Sequence, residues 1–115
     1  MNSDDVIRMR HMADAAQEAI EFATGRIRAD LDIDRMLVRA LTKDIEIIGE
    51  AAARVTLETR WAFPSIPWPS IITMRNRLIH GYFDIDLDLV WSTVAEDIPP
   101  LLAEIKNLLP RSSPG

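Results

Sequence analysis

The chemistry of this 115-residue chain concentrates in one run, Met74-Arg75-Asn76-Arg77-Leu78-Ile79-His80-Gly81-Tyr82-Phe83. It holds an arginine pair, an asparagine, one of two histidines and the single tyrosine. A guanidinium presents a planar fork of donors that fits phosphate. An imidazole takes and gives protons near neutral pH. Together they suit phosphodiester cleavage without a metal. The histidine handles the proton of the nucleophile or of the leaving oxygen, and the arginine stabilises the charge added at phosphorus. Asn76 and His80 are four apart and share one face of a helix. Arg75 and His80 are five apart, roughly 140° on an ideal helical wheel. An ideal helix would not aim both at one phosphate. Either the helix ends before His80, which Gly81 encourages, or two protomers complete the site.

The composition limits the alternatives. The chain has no cysteine, which excludes a disulfide scaffold, thiolate metal sites and a cysteine nucleophile. Two histidines, His11 and His80, make a zinc enzyme a poor fit, and His11 reads as a surface or packing residue. The net charge of −5 argues against gripping nucleic acid by bulk charge. That charge is uneven. Residues 51–80 carry Arg54, Arg60, Arg75 and Arg77 against Glu58, while residues 81–115 carry six acids against Lys106 and Arg111. No export signal or bilayer-length apolar run is visible, so the expectation is a cytoplasmic protein.

Four amphipathic segments must position the motif, and they predict one all-α domain over 1–115. The first, about Asp4 to Ala23, has Ser3 as N-cap, two apolar stripes and Gly25 as its stop. The second, about Asp34 to Val55, repeats Leu37, Leu41, Ile45, Ile48, Ala52 and Val55. Residues 56–68 read as an apolar loop with Trp61, Phe63 and Trp68, folded over the core edge. The third helix, about Pro69 to His80, carries the motif and has Gly81 as its C′ residue. The fourth, about Leu87 to Leu109, contains Pro99 and Pro100, which predict a kink near Ala95 to Ile98. Residues 110–115 read as a loose tail. The architecture is a four- to five-helix, up-and-down bundle.

Arg75-Asn76-Arg77-Leu78-Ile79-His80 resembles the R-x4-H motif of the HEPN domains, and Gly81-Tyr82 extends it to the R-x4-H-x-Y of the HepT-like branch. The run Ile47 to Ala52, Ile66-Pro67-Trp68 and Val90-Trp91 are similar to that branch as well, so the likeness covers about residues 4–109. It implies a helical bundle that pairs as a homodimer with two motifs facing one cleft. It implies a metal-independent endoribonuclease acting on RNA such as tRNA or mRNA, with no cofactor. Arg75 and His80 would be the catalytic pair, with Asn76 and Arg77 in support. The 2′-hydroxyl would attack the adjacent phosphate and leave a 2′,3′-cyclic phosphate. The implied role is the toxin of a type VII toxin–antitoxin system. Its partner would be a minimal nucleotidyltransferase antitoxin that transfers AMP to Tyr82. A different class of role also stands: a non-catalytic, nucleotide-binding accessory subunit of a nucleotidyltransferase. Glu50 would reach the cleft, remain on the helix surface or form a buried pair.

Overall fold

The computed structural model describes residues 1–80 and 84–109. The first helix, α1, spans Ser3–Ala23. Its N-cap is Asn2, not Ser3: the Asn2 side chain accepts a hydrogen bond from the Asp5 N–H at 2.7 Å. Gly25 follows the helix with φ +75°, a conformation that disfavours any residue with a Cβ. A 3₁₀ turn, Arg28–Asp32, leads into α2, Arg35–Arg54, which Asp34 caps by accepting from the Leu37 N–H. All six residues of the α2 stripe are buried, from Leu37 to Val55. Each large one contributes about 1.5–3 kcal/mol by leaving water.

The α1 core face lies between the two stripes read from sequence. Met9, Met12, Ala15, Ala16 and Ala19 are buried, while Phe22 is exposed. Asp5, at the start of α1, accepts hydrogen bonds from the Thr56 N–H and hydroxyl and from the Thr59 hydroxyl. That latch puts the start of α1 beside the end of α2, so the two helices run antiparallel. Burial pushes the Asp5 carboxyl up, but the bonds from Thr59 and Thr56 outweigh it and hold it below its ordinary value.

Residues 56–68 are not simply a loop. Leu57–Ala62 form a short helix, α3, capped by Thr56. Trp68 is buried and donates from its indole to the Phe63 carbonyl at 3.1 Å, whereas Trp61 is 76 % exposed. Arg60 donates to the carbonyls of Val55 and Ala53, closing the end of α2.

Helix α4 spans Trp68–Leu78, with Pro69 in its first turn. The Ile71 carbonyl lies only 3.1 Å from where a Cβ on Gly49 would sit. Glu46 meets Arg75 one turn further along, so α2 and α4 also run antiparallel. The last helical stretch comprises α5 (Leu87–Ser92), a π turn (Thr93–Asp97) and α6 (Ile98–Leu108). The Ile98 N–H bonds back five residues to Thr93. Pro99 and Pro100 have no N–H for the carbonyls four residues earlier, and the wide turn absorbs that loss where the kink was predicted. Val90, Val94, Ile98, Leu102 and Ile105 complete the core. Among the described residues no helix is long and apolar enough to cross a membrane.

Candidate functional site

Helix α4 delivers Arg75 in its last turn and then stops at Leu78. The predicted cap at Gly81 is replaced by an earlier one. Ile79 is extended and forms an antiparallel bridge with Ile85. The Asp86 N–H donates to the Leu78 carbonyl, and the His80 N–H donates to the Asp84 carbonyl, both at 2.8 Å. The returning chain therefore satisfies the end of the helix that a glycine would otherwise have served. The consequence for the site is direct. His80 leaves the helical wheel, so the 140° separation from Arg75 no longer applies. Gly81 and Tyr82 lie outside the described residues.

Arg75 is exposed, and its Nε pairs with Glu46 of α2 at 3.3 Å. Both residues line an open groove of about 680 Å³. From α2 that groove is lined by Arg39, Thr42, Lys43 and Glu46. Opposite them stand Arg75, Ile79 and Ile85, the last two being the bridge that precedes and follows the His80 segment. His80 itself is exposed and adjoins the groove wall through Ile79.

The other predicted residues are placed differently. Asn76 is exposed and cannot share a helix face with His80, since the helix has ended. Arg77 donates to the Ser70 carbonyl at 2.9 Å. It borders a second cavity of about 490 Å³, between α4 and α6, with Asp97 and Glu104. Within one chain, Arg75 and Arg77 thus serve two separate grooves, as two residues and about 200° of helical rotation require. Glu50 is exposed and lines neither groove. The carboxylate that reaches the motif is Glu46, one turn earlier.

Sequence reading missed Glu46, Arg39 and Lys43. Their spacing on α2 was the available signal: 39, 43 and 46 share one face. Which helix that face meets is set by packing alone. A further group lies apart from the motif. Asp44 is 2 % exposed, and one of its oxygens has no hydrogen-bond partner. Burial, together with the charge of Glu18, pushes its carboxyl up to about 7.

Residues 12–108 match the family described as HepT-like, ribonuclease HepT-like. A protein named a candidate RNase in Caldanaerobacter subterraneus is 34 % identical over 101 residues, covering 88 % of this chain and 90 % of that one. Another so named in Methanocaldococcus jannaschii is 36 % identical, covering 81 % of this chain and 85 % of that one. The protein named probable ribonuclease HepT in Thermococcus cleftensis is 34 % identical, covering 87 % and 91 %. No solved structure matches significantly.

Proposed function

Because the chain belongs to the HepT-like ribonuclease family, we propose that it is a HEPN endoribonuclease, one domain over 1–115, in which Arg75 and His80 cleave RNA. The observation that supports this reading is the end of α4 at Leu78, which takes His80 off the helix whose last turn carries Arg75. Cleavage proceeds through the ribose 2′-hydroxyl. Its oxygen bonds to the adjacent phosphorus while its proton passes to a base, and the bond to the 5′ oxygen breaks as that oxygen takes up a proton. His80 serves the proton transfers. The Arg75 amino groups stabilise the charge that builds on the non-bridging oxygens. The products are a 2′,3′-cyclic phosphate and a 5′-hydroxyl, and no metal ion takes part. Asn76 holds the substrate, and Arg77 adds positive potential from the adjoining groove or from the other protomer of a homodimer.

The family resemblance supports a toxin working in the cytoplasm on RNA such as tRNA or mRNA. A minimal nucleotidyltransferase antitoxin silences it by transferring AMP to Tyr82. A bulky anion two residues from His80 competes with RNA for the same arginines. The test is cleavage of an oligoribonucleotide by the purified chain in EDTA. We expect a 2′,3′-cyclic phosphate end, and no cleavage at a position where the 2′-hydroxyl is replaced by hydrogen. Cleavage at the 2′-deoxy position refutes the mechanism, and intact RNA refutes the enzyme. For the switch, incubation with the cognate transferase and ATP should add mass in AMP units to the wild type and not to Tyr82→Phe.

A further inference from the structure

The groove beside Arg75 carries more positive charge than the motif accounts for. Arg39 and Lys43 stand one turn apart on α2, about 6 Å along the axis, and both are exposed. Among the described residues neither forms an ion pair or a side-chain hydrogen bond, in contrast to Arg26, Arg28, Arg60, Arg75 and Arg77. They continue a column that begins at Arg35, with like charges repeating every four residues. Such a column costs an isolated helix a few tenths of a kcal/mol per pair. It stands in a chain whose net charge is −5. Glu46 offsets one of the three cations of the groove and is already engaged by Arg75. Between Arg39 and Lys43, Thr42 lines the same wall, 6 % exposed, and its hydroxyl has no hydrogen-bond partner. A buried hydroxyl is normally satisfied.

We propose that Arg39 and Lys43 form a phosphate track that holds the RNA backbone next to the bond being cut. The inference rests on the ribonuclease reading and extends it along the strand. Arg75 faces the scissile phosphate. Arg39 and Lys43 take the phosphates that follow on the same single strand, where the one-turn rise of the helix is close to the phosphate spacing. The two side chains bind substrate and do not touch the reacting atoms. Their loss therefore weakens the grip on a long RNA and leaves a dinucleotide, which has no flanking phosphate, unaffected.

The test is equilibrium binding of a fluorescent, mixed-sequence single-stranded 12-mer RNA to the His80→Ala chain across a salt series. The same is done with Arg39→Gln/Lys43→Gln added, and with Lys106→Gln on α6 as control. Two lost phosphate contacts should flatten the log–log salt slope by about 1.4 and weaken binding at low salt by at least about tenfold. The control should match its parent. Thermal unfolding should be unchanged, because both side chains are exposed and unpaired among the described residues. Equal slope and affinity in the double variant overturn the track, as does an absence of RNA binding in every variant. Groove-dependent binding without cleavage by the wild type keeps the track and removes the ribonuclease. Cleavage with unaltered binding does the reverse.

Discussion

Asp44→Asn should make the protein more stable, and increasingly so as the pH rises. The side chain is 2 % exposed with an unpartnered oxygen, and burial together with Glu18 moves its carboxyl from 3.8 to about 7. The folded state therefore holds a proton that the unfolded chain releases. With the folded pKa raised, the contribution of this group is fully present below about pH 4, and stability falls as pH rises through the window up to about 7. At 1.36 kcal/mol per pH unit, the loss from this carboxyl is about 2 kcal/mol at pH 5 and about 4 kcal/mol at pH 8. Asparagine does not titrate. Its advantage over aspartate should therefore grow by about 2–3 kcal/mol between those two pH values, whatever constant difference in packing the amide introduces. Urea unfolding of both proteins at pH 5 and pH 8 reads this directly. An advantage that is the same at both pH values refutes the reasoning, because it would mean that Asp44 ionises inside the bundle at no extra cost.

Other substitutions test the scaffold and the site. Asp5→Ala should cost about 2–4 kcal/mol in denaturant unfolding near neutral pH, since it strands the Thr56 N–H and the Thr59 hydroxyl. The folded Asp5 pKa is lowered, so this stabilisation is present above about pH 4 and is lost as pH falls through the folded value; wild type and variant should converge in acid. Gly49→Ala should lower the melting temperature, with a net loss of about 1 kcal/mol. The new Cβ meets the Ile71 carbonyl at 3.1 Å, and the overpacking outweighs the gain in helix propensity. Glu46→Ala should split the kinetics of RNA cleavage. The groove becomes more positive, so KM falls. Arg75 loses the partner that aims it, so kcat falls by up to about fivefold, the range of a half-exposed ion pair.

Local signals carried much of the fold. The α2 stripe from Leu37 to Val55 is buried as its spacing predicts, because a 3.6-residue period maps directly onto one helix face. The bend before Pro99 was legible for a chemical reason, the two missing N–H groups. Helix α3 was hidden: six residues are too few to show a period, and the prolines and aromatics around it suggest a loop. The end of α4 falls before His80, one of the two arrangements the motif spacing allows, but earlier than Gly81 suggests, since the stop depends on Ile79 pairing with Ile85, which no local pattern announces. Of the candidate site, Arg75 and His80 stood out by residue type. Glu46, Arg39 and Lys43 did not, because they reach the motif only through the packing of α2 on α4. Asp44 is equally a tertiary effect: its polar face becomes interior only when α1 covers it.

In the proposed mechanism Arg75 and His80 perform the cleavage from opposite sides of the stop at Leu78. Single-turnover cleavage of one oligoribonucleotide in EDTA tests it most directly, using wild type, Arg75→Ala and His80→Ala matched for thermal stability. The expected rate loss is about 10²–10⁴ for His80→Ala, as for removal of a general acid or base, and about 10²–10³ for Arg75→Ala, as for removal of a charge-stabilising donor. Either variant cleaving at the wild-type rate contradicts it.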